Sequence, residues 1–477
     1  MPKHSRGNQV KDLYKATALW RDFFKLSKPQ IRAFHMSWFA FFLCFFAWFG
    51  IAPLMAVVRD EFQMTREQVA WSIIASVAIT ILARLCVGWI CDRLGPRITY
   101  TWLLIVGSIP VMCIGLAYDA QSFIFFRLLI GVIGASFVVT QVHTSLMFAP
   151  NIVGTANATS AGWGNLGGGV TQLVMPLLFG FLMVTVGLSS AASWRIAMVA
   201  AGLVCLLTGV AYYFLTQDTP SGNYCQMRKH AQQGQRRDVR QRLWSAMMDH
   251  RVWALFAVYG ACFGIELTVN NVAALYFIDN FEYFRALEPI SAIKTAGLIA
   301  GLFGMTNLFA RTLGGVSGDF FGLRWGLKGR VTLLFMVLFF EGIALMLFSQ
   351  MTTLILAIPA LLLFSLLVQM SEGATFSVVP FINKEAIGSV SGIVGAGGNV
   401  GAVLAGFLFK GAIPWSTCML CLGGMVTLVS FCAFAVTFSS DAETAARREL
   451  AAALARHRRS AHAPELDTEA TVELQPV

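Results

Sequence analysis

The chain has 477 residues, of which 57% are hydrophobic and 13% charged, with a net charge of +10. Soluble domains are about a quarter charged, so this balance, with a mean hydropathy of +0.67, excludes a soluble globular fold. A helix that spans a bilayer needs about 20 mostly apolar residues, and such runs recur almost from end to end.

The chain opens on a basic arm, residues 1–34, with Lys3, Arg6, Lys11, Lys15, Arg21, Lys25, Lys28 and Arg32. No small-residue cleavage site follows a short apolar core, so the arm does not read as a cleavable signal peptide. Six spans are predicted at roughly 35–58, 69–91, 99–117, 123–148, 157–187 and 194–216, forming a first helical bundle over 35–216. Before the second span, Thr65 and Gln68 fit a capping box. A polar loop, 217–251, carries Arg228, Lys229, Arg236, Arg237, Arg240, Arg242 and Arg251. Six further spans, roughly 252–278, 293–318, 331–350, 353–380, 386–410 and 414–438, form a second bundle over 252–438. The tail, 439–477, is first Ala-rich and basic (Arg447, Arg448, Arg456, Arg458, Arg459) and then acidic. It reads as a short surface helix followed by a disordered end.

Each basic cluster abuts hydrophobic spans, which argues against a nucleic-acid partner. Loops rich in Lys and Arg stay in the cytoplasm. Six spans on either side of the central loop put that loop and both termini there, in a multi-pass protein of the cell (inner) membrane. Cys418 and Cys421 form a CxxC inside a span, where small apolar filler explains them better than metal or redox chemistry.

The two bundles repeat one another. Residues 83–97, ARLCVGWICDRLGPR, align without gaps on 310–324, ARTLGGVSGDFFGLR, so that Arg84 matches Arg311, Gly88 Gly315, Asp92 Asp319, Gly95 Gly322 and Arg97 Arg324. GWGNLGGG at 162–169 aligns with AGGNVGAV at 396–403, so that Gly164 matches Gly398 and Asn165 matches Asn399. Parallel six-helix repeats are the mark of a transporter with its site at the midplane.

GWICDRLGPR fits G-x-x-x-D-R-x-G-x-R and resembles the loop between the second and third helices of the major facilitator superfamily. AGWGNLGGGVTQLVMP, 161–176, and GIVGAGGNVGAVLAG, 392–406, resemble the paired glycine-rich signatures of its nitrate/nitrite porter family. YGACFGIELTVNN, 259–271, is similar to helix 7 of the nitrate uptake branch. The resemblance implies an all-α integral membrane protein with the major facilitator fold: twelve transmembrane helices in two pseudo-symmetric six-helix bundles. In the second repeat Phe320 replaces the Arg of D-R.

A charge inside a bilayer costs at least ~2.5–3.5 kcal/mol, so Arg84 and Arg311 read as functional. No acid lies near either within its own helix. Two guanidinium groups facing across a pseudo-twofold axis make a site for one small anion, and a planar fork suits a trigonal oxyanion. The resemblance implies that these arginines bind nitrate, with Asn165 adding an amide and Phe137 and Tyr259 forming walls. Phe46 and Trp48 are weaker wall candidates. For Asn399, ligand contact and packing stay open. Gly164 and Gly398 allow close helix packing and would expose backbone beside a small ligand. Asp92, Arg93, Asp319 and Arg324 are expected to form a cytoplasmic latch that gates alternating access. Glu266 and Glu372 are candidate proton-coupling groups, with Glu341 and His143 behind them.

The reading is a secondary active importer of nitrate, with nitrite as a further substrate, coupled to protons by symport. Nitrate/nitrite antiport is the alternative, and a carrier of another small anion a lesser one. No Ser/His/Asp constellation, metal-ligand spacing or cofactor motif points to an enzyme, and neither cofactor nor metal is expected. The expected partners are the small anion, protons and the lipid bilayer, with the chain acting as a monomer.

Overall fold

The computed structural model describes residues 15–16, 19–148, 153–227, 244–383 and 387–448; within these, the side chains of Asp92 and Asp319 are among the few outside the description. Lys3, Arg6, Lys11, Arg228, Lys229, Arg236, Arg237, Arg240, Arg242, Arg456, Arg458 and Arg459, and the acidic end of the tail, also lie outside the described residues.

Twelve described helices are long and apolar enough to cross a membrane. They are α1 (Pro29–Glu61), α2 (Arg66–Gly88), α3 (Pro96–Leu116), α4 (Ala120–Met147), α5 (Ala156–Val184), α6 (Ser190–Leu215), α7 (His250–Asn280), α8 (Pro289–Gly322), α9 (Arg324–Ser349), α10 (Leu354–Val378), α11 (Val390–Lys410) and α12 (Trp415–Ala435). The fold is all-α: two six-helix bundles, α1–α6 and α7–α12. A bilayer offers the backbone no hydrogen bonds, so each span satisfies its own. Residues 440–448 continue as a helix beyond α12.

Local chemistry sets the helix ends. Thr65 and Gln68 form the predicted capping box that starts α2. Gly95 (φ 89°) and Gly326 (φ 72°) turn the chain into α3 and near the start of α9, a backbone region that favours glycine. A carboxylate closes each turn. Asp218, just after α6, accepts from the backbone N–H groups of Arg97 and Tyr224, both at 2.8 Å. Glu443, after α12, accepts from the N–H of Leu327 at 2.9 and 3.1 Å. Of the predicted latch, Arg93 is exposed and Arg324 lies 5.6 Å from the Trp325 ring.

The glycine signatures are packing seams. A Cβ on Gly164 would lie 1.8 Å from the Phe41 ring of α1, and one on Gly167 would lie 2.0 Å from the Phe42 carbonyl oxygen. The second bundle repeats this between α11 and α7: a Cβ on Gly398 would meet Phe263 at 2.3 Å, and one on Gly401 the Gly260 carbonyl at 2.0 Å. The seam between bundles is equally close, with a Cβ on Gly304 of α8 falling 2.3 Å from the Gly169 Cα of α5. Small residues allow this approach without a hydrophobic driving force between helices.

On the face opposite the termini, several contacts join the bundles: Arg59 with Asp279 at 2.6 Å, Lys410 with Glu67 at 2.9 Å, and Trp71 against Phe407 at 5.7 Å. On the termini face, the N-terminal segment docks through Phe23 against Phe34 and Trp163. There Asp22 pairs with Lys25 at 2.9 Å and Lys28 at 2.5 Å, and hydrogen bonding to Lys28 and then Lys25 holds its carboxyl down at about 2.

The seams differ in tolerance from glycines in open space. Gly401→Val would press on backbone that cannot swing away and is expected to cost about 1–3 kcal/mol, seen as a lower thermal midpoint in detergent. Gly315→Ala, with nothing within 4 Å of the new methyl, should leave the midpoint unchanged.

Candidate substrate site

α2 and α8 bring the repeat-related arginines to the seam between bundles, where both are buried: Arg84 is 5% and Arg311 3% exposed. They are close enough to act on each other electrostatically, yet their surroundings differ. The Nη1 of Arg84 donates to the Gly395 carbonyl of α11 at 2.8 Å. Its Nε reaches the Gly134 carbonyl of α4 at 3.5 Å, and its Nη2 has no partner. Phe137 of α4 and Phe263 of α7 lie 5.3 and 5.5 Å from the guanidinium, within cation–π range. No carboxylate pairs with Arg84 among the described residues.

Arg311 takes its acid from another helix. Its Nη1 donates to Oε2 of Glu372 from α10, and its Nη2 to the Tyr259 hydroxyl of α7 at 2.9 Å. Glu372 is fully buried, and its Oε1 is without a partner.

Glu266, on α7, is also fully buried. Its Oε1 accepts from Asn307 Nδ2 at 2.7 Å and its Oε2 from Asn165 Nδ2 at 3.3 Å. It thereby ties α7 to α5 and α8, and it acts electrostatically on Glu372. The amide that Asn165 was expected to offer an anion is committed to Glu266 here. The Oδ1 atoms of Asn165 and Asn307, and both amide atoms of Asn399, are buried without partners. Buried polar atoms are nearly always satisfied, so the site holds unspent hydrogen-bonding capacity, including one donor, Arg84 Nη2.

Flat rings enclose these groups. Tyr259 stacks on Phe263 at 5.1 Å and 13°, and Phe376 of α10 stands edge-on to Tyr259 at 5.1 Å and 82°. Phe376 is 6.1 Å from Phe137, which touches Phe41 at 5.9 Å. Phe137 and Tyr259 border the arginines. Trp48 does not: its Nε1 donates to the Ser76 carbonyl at 2.6 Å. Phe46 lies against Phe42 at 6.5 Å. Gly164 and Gly398 are packed closely. Their open sides meet Phe41 and Phe263, so they support the rings and stand one side chain back from the site. His143 is spent inside the first bundle, on Tyr212 OH at 2.5 Å and the Gln217 carbonyl at 2.9 Å.

Phe263, Phe376 and Asn307 were not anticipated. Phe263 and Asn307 had a signal: each lies four residues, one helical turn, from an anticipated residue, Tyr259 and Arg311 respectively.

The chain matches the model of the Major Facilitator Superfamily over residues 37–406. It is similar to the high affinity nitrate transporter 2.5 of Arabidopsis thaliana, 39% identical over 386 residues that cover 81% of this chain and 75% of that protein. It is also similar to the nitrate/nitrite transporter NrtP of Nostoc punctiforme, 29% identical over 436 residues, 79% of this chain and 86% of that one. Among solved structures it resembles a bacterial homolog of the human lysosomal transporter Spinster, with a TM-score of 0.62 at 14% identity over 86% of this chain and 99% of that chain. The nucleoside transporter NupG gives a TM-score of 0.59 at 15% identity over 84% and 98%. At such identities the structural likenesses speak for the fold alone.

Stripping one partner from a buried ion pair leaves an uncompensated charge, which costs about 3–5 kcal/mol, whereas replacing both by apolar groups is close to neutral. Glu372→Ala should therefore destabilise the folded protein more than the double substitution Arg311→Met with Glu372→Leu, as read by thermal unfolding in detergent.

Proposed function

The chain belongs to the nitrate/nitrite porter family of the major facilitator superfamily, and from that premise we propose that it imports nitrate, and nitrite with it, by proton-coupled symport. It is a transporter and not an enzyme. The observation that carries the coupling is the ion pair between Arg311 and Glu372 beside an unpaired Arg84.

Charge balance supports this reading. Glu341 is fully buried with neither oxygen partnered and is counted as neutral, because an unpaired buried charge is too costly. With Arg84, Arg311, Glu266 and Glu372 ionised, the cations and carboxylates then cancel and the site offers an anion no net attraction. A proton on Glu372 would release the Arg311 fork and leave one net positive charge. Nitrate would then lie between the two guanidinium groups, taking paired N–H donors on two oxygens, with Tyr259 and Phe137 as flat walls. Asn399, whose amide is buried without a partner, is a further donor on this reading.

Driving force follows from the same balance. An anion entering against an inside-negative potential costs ~2.3 kcal/mol per charge per 100 mV. One proton makes the loaded site neutral and removes that penalty. A second proton, on Glu266, would make uptake draw on the potential itself. Glu266 lies between the bundles through Asn165 and Asn307, so its protonation would also loosen a contact that alternating access has to remake. The basic arm and loop place the termini in the cytoplasm of this reading, with the jointed opposite face outermost. The protomer alone contains the whole site, consistent with action as a monomer.

Arg84→Lys and Arg311→Lys keep the charge and lose the fork. Charge-assisted buried contacts are worth about 2–5 kcal/mol, so each substitution should weaken nitrate binding at least about thirtyfold, measured by titration in detergent. Near-normal binding by either variant would contradict a bidentate role.

Coupling is tested in proteoliposomes carrying an internal pH indicator. Nitrate added outside should acidify the lumen, and Glu372→Gln should abolish this while nitrate–nitrate counterflow stays within about threefold of the parent, a change under 1 kcal/mol. Uptake that moves no protons, ignores Glu372→Gln and rises with internal nitrite would leave exchange as the mechanism.

A further inference from the structure

Beyond the central site, a further buried arginine has no acid partner among the described residues. Arg127 of α4 is 2% exposed. Its Nη2 donates to Asn271 Oδ1 of α7 at 2.6 Å, its Nη1 to the Trp48 carbonyl of α1 at 3.3 Å, and its Nε has no partner. The neighbours are neutral. Asn271 is itself held by its Nδ2 to the Leu267 carbonyl at 2.9 Å, and Ser76 Oγ lies 3.4 Å from its Oδ1. No other charged group perturbs Arg127, and no described carboxylate pairs with it. A structural arginine in a bilayer ordinarily pairs with an acid or with backbone carbonyls, or reaches the headgroups; this one has one long carbonyl contact and one amide oxygen, and no acid.

Its place along the molecule gives the charge a meaning. α7 serves as a ruler: Tyr259 borders the central arginines, and Asn271 lies twelve residues further towards the face opposite the termini, about 18 Å at 1.5 Å per residue. The contact joins the first bundle to the second, in the half of the molecule that Arg59–Asp279 and Lys410–Glu67 also close. Those outer pairs are salt bridges and satisfy themselves. The Arg127 contact is a cation on a neutral amide, so separating the bundles there exposes an unneutralised guanidinium to whatever enters.

We propose that Arg127 is a second, outer binding site for the transported monovalent oxyanion, closed in this conformation by Asn271 and Trp48. When the outer halves part, the fork loses Asn271 and takes the incoming anion, which then moves inward to Arg84 and Arg311. On closure Asn271 replaces the anion, so the same amide seals the entrance and returns the site to its resting partner. The proposal rests on anion import as the function.

Transport measured separately from each face of oriented proteoliposomes tests it, with nitrate as the probe. Arg127→Gln should raise KM for nitrate entering from the face opposite the termini about tenfold, one charge-assisted contact's worth. KM from the termini face should be unchanged, and Arg127→Lys should lie between parent and Gln. Asn271→Ala, which removes the seal and leaves the charge, should alter kcat without raising that KM. A KM shifted equally on both faces, or reproduced by Asn271→Ala, would overturn the site and leave Arg127 a structural tie. Should Arg127→Gln not fold, a second arm remains: with Arg311→Lys weakening central binding at least about thirtyfold, nitrate kept below that weakened Kd should still slow modification of Asn271→Cys by an impermeant thiol reagent, read at that residue by peptide mass. No protection there would refute the site. Uptake by the unsubstituted protein in the same vesicles reports separately on the import reading, because its absence would sink that reading whatever the sidedness of the variants.

Discussion

A guanidinium held away from water must be matched by something, and the choice of match organises this molecule. Arg84 and Arg311 occupy equivalent places in the two repeats, and each would cost at least ~2.5–3.5 kcal/mol to bury unaided. Arg311 is matched by a carboxylate and a phenol. Arg84 is matched by two backbone carbonyls and two ring faces, with one nitrogen left over. The repeat therefore supplies geometry, and its breakdown sets the arginines apart: one is paired with a carboxylate and the other is not.

The source of that asymmetry is one helix in each bundle. α10 contributes Glu372 and Phe376 to the site, whereas α4, which fills the corresponding place in the first bundle, has no Asp or Glu over residues 120–147 and contributes Phe137 and the Gly134 carbonyl. The rings can serve as walls because their backing is stiff. Gly164 and Gly398 bring α5 onto α1 and α11 onto α7 until Phe41 and Phe263 have no room to turn. Interiors packed this closely move between discrete arrangements and do not deform smoothly. A site built on them is accordingly fixed within a bundle and adjustable only between bundles.

The parts of this design legible in the sequence are those carried by a repeat or a local signal. The twelve apolar runs, the capping box at Thr65, and the paired arginines needed only spacing and composition. The Arg311–Glu372 pair did not announce itself, because the partners lie 61 residues apart on different helices and nothing local to either implies the other. Asn307 was half legible: it stands one turn before Arg311, but the matching position before Arg84 is Thr80, which bonds the Gly131 carbonyl instead, so the repeat pointed away from it. For Gly164 and Gly398 the sequence left packing and ligand contact together, for want of a phase. Each adjoins an asparagine in sequence, yet successive residues on a helix lie about 100° apart. A glycine has no side chain to reveal which face is its own, and the two point at rings.

Neutrality also bears on how such a carrier avoids leaks. A site that crosses from one face to the other carries its net charge through surroundings of low dielectric, where an unbalanced charge is heavily penalised. With Glu266 and Glu372 ionised, the unpartnered Glu341 neutral and no anion, the cations and carboxylates of the central site cancel. With one proton and one nitrate, on the proposed reading, they cancel again. A nitrate without a proton leaves the site negative, and a proton without a nitrate leaves it positive, so both slip reactions meet an electrostatic barrier that the empty and the fully loaded forms escape. Coupling of this kind requires no dedicated channel for protons and no contact between proton and anion. It requires that the arginines and carboxylates share one dry enclosure, which the ring walls and the glycine seams provide.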